Sequence, residues 1–252
     1  MAVPSFSLIF FIFLLNMDKI NFITYTLIII FLCNVLAFII SMISVHFDFF
    51  QKFRIQKRRV KPAVFYKRLP LILTNIILLS ITTTIGLFFI FPIFDPSLNV
   101  DLVKIIIQFV VIVVVDDLYF YMFHSWMHSN KYFFKKIHIT HHKTIAPIAM
   151  DYLYVHPLEW FIGYFGPFLA IFLISLFNPV CIASFWSYQI IRNIHEIDVH
   201  SGFKSFISSW LPFWGEAEHH DLHHERFDGN YASTFTFWDH IFKTKIVSNE
   251  KK

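Results

Sequence analysis

The chain has 252 residues, 56% of them hydrophobic, with 34 Phe, a formal charge of +4 and a mean hydropathy of +0.59. Soluble domains hold about 45–50% apolar residues, so the composition excludes an ordinary water-soluble fold and points to a single membrane-embedded unit with a polar portion. The charge is concentrated, with eight Lys and Arg between Lys52 and Arg68.

Residues 5 to 15 form a short apolar stretch with no basic flank and no small-residue cleavage site. It is shorter than the roughly 20 residues that cross hydrocarbon, so it reads as an interfacial or re-entrant piece. Residues 22 to 45 and 69 to 94 are long enough to span. The basic strip between them could meet nucleic acid, lipid headgroups or an acidic protein. Its position between two apolar segments favours a cytoplasmic juxtamembrane loop in contact with membrane lipid and gives no reason to invoke nucleic acid. Residues 102 to 123 form a third span that meets Asp116 and Asp117 near its end, where it leaves the bilayer or turns to a polar interior. Residues 157 to 177 and 180 to 194 read as two apolar helices separated by Asn178-Pro179, a hairpin. Cys33 and Cys181 sit in apolar runs and read as buried thiols without a disulfide framework.

Twelve of the fourteen histidines lie between His124 and His224. They fall into His124-x3-His128, His138-x2-His141-His142 and His220-x2-His223-His224. Side chains at i, i+3 and i+4 share a helical face, so each box can converge on a metal, and the adjacent pairs can reach toward two neighbouring ions. A lone pair of this spacing is common on surfaces; two triplets and a pair within a hundred residues are not. Eight or more imidazoles exceed a mononuclear zinc site, and all-imidazole donors suit iron, zinc, copper or nickel. His200 would complete the set. His195, His219 and His156 are possible further ligands, His156 reading more as a structural residue before Pro157. Asp117, Glu159, Asp198 and Asp221, with Glu196, are candidate carboxylates to orient ligand imidazoles.

If the basic strip is cytoplasmic, span parity returns His124 to that side, and a complete hairpin returns His195 to His224 to it as well. All the boxes then share one membrane face. Phe120, Tyr121, Phe123, Trp126, Tyr152, Tyr154 and Trp160 could wall an apolar channel beside them or anchor the chain at the interface.

DDLYFYMFHSWMH (116 to 128), KKIHITHHKT (135 to 144), HPLE (156 to 159), EIDVHSGF (196 to 203) and HHDLHHERFDGNYASTFTFWDHIF (219 to 242) resemble the sterol desaturase and fatty acid hydroxylase superfamily. Within it they are most similar to the C4-methylsterol monooxygenases, over roughly residues 100 to 244. The resemblance implies an all-α integral membrane protein whose transmembrane helices carry a cytosol-facing, histidine-rich di-metal site. It implies three parts: N-terminal spans with the basic loop (1–101), a di-iron catalytic domain (102–246) and a tail (247–252). It implies two iron ions, with O2 as co-substrate, on His124, His128, His138, His141, His142, His200, His220, His223 and His224. The implied reaction is stepwise oxidation of a sterol C4 methyl group to the carboxylate, in the endoplasmic reticulum membrane. No GxGxxG dinucleotide fingerprint is present, so electrons must come from an external donor, which the resemblance suggests is cytochrome b5 with its reductase. Ser125 stands where many relatives place Arg, and Lys243 where the family usually has Gly. A C5 sterol desaturase or lipid hydroxylase would share the boxes but not the GNYAST ending. A histidine-based metal or proton transporter would place ligands in mid-span, and a noncatalytic sterol-binding protein has no need of complete boxes.

Overall fold

The computed structural model describes residues 17–97, 101–205, 208 and 210–246. The apolar stretch at residues 5 to 15 and the tail from 247 lie outside the described residues. Helix α1 (Lys19–His46) starts where Asp18 accepts the Asn21 backbone N–H at 2.8 Å, an N-cap that satisfies a donor the first turn leaves open. Pro62 opens α2 (Pro62–Ile90), a position where its missing N–H costs nothing. Asp101 caps α3 (Leu102–Ser129) through Val103 and Lys104.

Asn130 ends α3 and caps the next segment, α4, which is α-helical over Lys131–Phe133, widens to a π-turn over Phe134–His138 and resumes as α-helix over Ile139–His142. A 3-10 turn at Ala149–Leu153 follows, then α5 (Pro157–Gly163), α6 (Phe165–Ser175), α7 (Ile182–Val199), α8 (Ala217–Arg226) and α9 (Phe237–Ile241). A two-residue parallel pairing joins β1 (Phe94–Asp95) to β2 (Val180–Cys181). Both cysteines are free and buried.

Three segments among the described residues are long and apolar enough to cross a membrane: Lys19–His46, Pro62–Ile93 and Pro157–Ser175. The expected arm at 180 to 194 is not one of them, because α7 carries Gln189, Arg192, Asn193, His195, Glu196 and Asp198 and turns these polar groups toward the interior. Helix α3 is divided. Leu102, Val103, Ile106, Ile107 and Val110 face outward, whereas Asp116, Asp117, Tyr121 and His124 are buried.

Two apolar clusters hold the helices. Phe22, Phe94 and Phe185 centre one that joins α1, α3, α6 and α7. Phe65, Ile72, Ala149, Leu153 and Ile197 form the other, under α2. Polar staples fix the 149–153 turn there: Arg68 Nη1 reaches buried Asp151 at 2.6 Å, and Asn75 Nδ2 donates to the carbonyls of Leu153 and Val155. Gly166 lets α6 cross α3 closely, since a Cβ there would collide with Asp116 Oδ1.

Candidate metal centre

The histidine boxes of α3, α4 and α8, together with His200 at the end of α7, meet in the interior as two adjoining clusters. One contains His124, His128, His138, His142 and His223; the other contains His141, His200, His220 and His224. Within each, one ligand-type nitrogen per residue lies within 4.8 Å of every other. The boxes interleave. His138 and His142, at i and i+4, face the first cluster and His141 the second. In α8 the assignment reverses, with His220 and His224 in the second cluster and His223 in the first.

The nitrogen atoms are closer than neutral rings would choose. Nε2 of His138 lies 2.9 Å from that of His128, 2.9 Å from that of His142 and 3.2 Å from that of His124. The tautomers are set from behind. His124 Nδ1–H donates to the Tyr231 carbonyl at 2.8 Å, His138 Nδ1–H to Glu159 Oε1 at 2.8 Å and His223 Nδ1–H to the Gly229 carbonyl at 2.7 Å. A neutral imidazole that donates from Nδ1 carries a lone pair on Nε2, so Nε2 of His124 and His138 point lone pairs at each other. His223 Nε2 is buried with no hydrogen-bond partner. Facing lone pairs and an orphaned acceptor are costly in a dry interior, and a cation between them removes both costs. In the second cluster His200 Nδ1–H donates to the Glu196 carbonyl at 2.9 Å, which turns its Nε2 to His220 Nε2 at 3.0 Å.

Burial keeps the rings neutral. It pushes His138 and His200 down to about 3, and His141, His220, His223 and His224 well below the ordinary imidazole value, with neighbouring rings adding to the effect for the last four. Neutral imidazole is the ligating form. The residues therefore fit a metal group whose donors are all nitrogen.

The remaining predicted residues have other partners. His195 Nε2 donates to the Ser233 carbonyl at 3.1 Å, and its ring packs on Trp214. His219 Nε2 pairs with Asp239 Oδ2 at 2.8 Å. His156 Nδ1 accepts the Leu158 N–H and so caps α5. None of the three joins either cluster. Among the expected carboxylates, Glu159 touches a clustered ring, His138, and Glu196 Oε2 lies 3.6 Å from His200 Nδ1.

Asp117, Asp198 and Asp221 do not contact clustered rings. Asp117 accepts from the Thr234 and Phe235 amides and from Trp238 Nε1. Asp198 takes the Ser205 hydroxyl, and Asp221 takes Gln56 Nε2. The sequence reading missed Asp239, which accepts from His219, Thr244 and the amides of Tyr231 and Ala232. With Asp117 it shapes the 229–236 loop whose carbonyls orient His124, His195 and His223. The only sequence signal was the FTFWD string that carries it.

A cavity opens on both clusters through His124, His138, His141, His200 and His220. Phe120, Phe123, Trp160, Ile30 and Leu79 supply apolar walls, while Asp116, Tyr188, Arg192 and Glu196 form a polar side. Of the aromatic residues singled out in the sequence, Phe120, Phe123, Tyr152 and Trp160 line it. Tyr121, Trp126 and Tyr154 do not: Tyr121 Oη bonds to Thr244, Trp126 is 44% exposed and Tyr154 lies against Arg68.

A family profile described as fatty acid hydroxylase matches residues 109–244, the part of the chain that builds both clusters. The chain belongs to the fatty acid hydroxylase family. Methylsterol monooxygenase 1 from Rattus norvegicus is 40% identical over 135 residues, which are 53% of this chain and 44% of that protein. The Gallus gallus protein of the same name is 41% identical over 133 residues, 52% of this chain and 43% of that protein. A putative methylsterol monooxygenase from Dictyostelium discoideum is 31% identical over 222 residues, covering 82% of this chain and 78% of that protein. The rat and chicken matches span less than half of those proteins. No solved structure matches the chain significantly. The resemblance read from the histidine boxes and the GNYAST segment is borne out by these relatives.

Proposed function

We propose that this chain is a membrane-bound oxygenase that oxidises the C4 methyl group of a sterol. The observation that carries the reading is the pair of buried histidine clusters opening on one largely apolar cavity, in a chain whose relatives are named methylsterol monooxygenase. The nine clustered histidines would hold two iron ions, one at the group of five and one at the group of four. Iron bound there supplies the O2 activation that attack on an unactivated C–H bond requires and that no side chain can provide.

The chain's own residues do the rest. Glu159 and the carbonyls of Tyr231, Gly229 and Glu196 fix the imidazole tautomers from behind, which holds the metal-facing nitrogens ready. Phe120, Phe123 and Trp160 exclude water and orient a flat, apolar substrate against the histidine wall. Each hydroxylation consumes one O2, two electrons and two protons; one oxygen atom enters the substrate and the other leaves as water. Repetition takes the methyl through alcohol and aldehyde to carboxylate. An external donor brings the electrons, cytochrome b5 with its reductase being the one the family suggests. The clusters face the cytosol from the endoplasmic reticulum membrane, the arrangement that the resemblance to the methylsterol monooxygenases suggests.

The test is expression in cells that lack C4-methylsterol oxidase, with sterols followed by mass spectrometry. Conversion of the accumulated 4-methyl sterol, lost in His141→Ala, is the expected outcome. Persistent 4-methyl sterol despite good expression of the wild-type chain would refute the reading.

A further inference from the structure

The basic strip is not uniformly solvated. Lys52, Lys57, Arg58, Arg59, Lys61 and Lys67 are exposed, but Arg54 is 8% exposed. Its Nη1 donates to Ser44 Oγ and its Nη2 to the Pro147 carbonyl, both at 2.8 Å. Its Nε is buried without a partner. No carboxylate forms a salt bridge with this guanidinium among the described residues; Asp221 and Asp151 act on it only from a distance. A buried cation with neutral contacts and a spare donor is a costly arrangement that an anion relieves.

Arg54 lines a second cavity. Its other walls are Ile40, Ile43, Phe50, Phe53, Phe203 and the two exposed lysines Lys52 and Lys204. Among the described residues no acidic one lines it. Ile40 and Ile43 belong to the last turns of α1, a helix long enough to span, so the groove lies where that span meets the bilayer surface. Phe47, Phe49 and Phe53 are more than half exposed around it, at 57%, 62% and 52%. Aromatic rings and lysines together at such a level are the pattern of an interfacial anchor.

An apolar floor, two exposed lysines beside a buried arginine and a site at the end of a span fit one occupant. We propose that this groove binds a single anionic phospholipid, with an acyl chain along Ile40, Ile43 and Phe50 and the phosphate between Lys52, Arg54 and Lys204. The far wall is coupled to the metal centre. Arg54 pairs with Phe203 as a β-bridge, and Gly202, at φ 76°, passes so close that a Cβ would meet Arg54 Nη2 at 2.5 Å. These residues follow His200 directly, so the bound headgroup braces the loop that carries it.

The experiment uses the full chain in detergent, offered phosphatidic acid and phosphatidylcholine of identical acyl composition, with retained lipid read by native mass spectrometry. The wild type should keep phosphatidic acid about tenfold or more over phosphatidylcholine, from the attraction of two or three cations near one phosphate. Lys52→Glu combined with Lys204→Glu, both exposed, should abolish that preference. Lys57→Glu combined with Lys61→Glu, equal in charge but outside the groove, should leave it standing. Equal retention of both lipids by the wild type overturns the proposal. So does equal loss in the two charge-reversed pairs, which would mean diffuse attraction, or displacement of the lipid by millimolar inorganic phosphate, which would mean a small-anion site. An effect of the Lys52/Lys204 pair confined to electron transfer from an added redox protein, with lipid retention unchanged, also overturns it in favour of a protein-docking face.

Discussion

Asp117 offers the sharpest test of how the loop behind the clustered histidines is built. It is fully buried on α3, and its two oxygens accept three N–H donors: Thr234 N at 2.8 Å on Oδ1, and Phe235 N at 3.0 Å and Trp238 Nε1 at 2.8 Å on Oδ2. Asp117→Ala strands all three donors away from water. Each stranded donor costs about 1–3 kcal/mol, so the loss should be at least about 3 kcal/mol, among the large effects for a single substitution. Asp117→Asn can keep its carbonyl on Phe235 and Trp238 while its amide opposes only Thr234 N–H, so it should cost about 1–2 kcal/mol. At roughly 2–4 °C per kcal/mol for a chain of this size, Asp117→Ala should lower the apparent Tm in detergent by about 6–12 °C and Asp117→Asn by roughly one-third to two-thirds of that. Equal effects of the two variants, or a change under about 1 kcal/mol for alanine, would refute the three-donor account.

The other expectations follow from single features of the structure. Lys243 has φ 58°, a left-handed conformation that costs an L side chain about 1 kcal/mol, so Lys243→Gly should raise thermal stability by about that amount without changing metal content. Glu159→Ala removes the carboxylate 2.8 Å behind His138; losing such a partner lowers metal affinity by about 10–100-fold, measurable by competition with a chelator. The chelated, metal-free protein should be acid-labile. Unfolded imidazoles take up protons near pH 6.5, whereas buried His138 and His200 resist until about 3. Between those values the unfolded state binds more protons, so stability falls as the pH drops from about 6.5 toward 3. A flat Tm across that range would contradict the burial of the clusters.

Much of the site was legible in the sequence because histidine spacing maps directly onto helix faces. His138 with His142, and His220 with His224, converge as i, i+4 pairs, and the adjacent histidines diverge to neighbouring clusters. What spacing could not decide was which cluster each box serves, since that depends on how α8 is turned against α4, a matter of tertiary packing. The carboxylates were the least legible. An Asp beside a histidine box looks equally suited to an imidazole or to a backbone amide; Asp117 holds the 234–238 loop because that loop folds back over α3, a contact 117 residues away in sequence. The basic strip, read as a juxtamembrane loop, hid its interior contacts for the same reason: it tucks Arg54 under Pro147 and sends Gln56 to Asp221. The hairpin at 157 to 194 was half right, because hydropathy registers the apolar start of α7 and averages away the polar face it turns to the cavity.

The central claim is that two adjoining clusters each hold one metal ion, and metal counting on purified protein tests it most directly. Wild-type protein should carry about two iron ions per chain. His142→Ala, in the five-histidine cluster, and His224→Ala, in the four-histidine cluster, should each retain close to one, while His156→Ala should keep both. Iron well below one per chain in active wild-type protein, or a His156→Ala variant stripped as thoroughly as His142→Ala, would contradict the account.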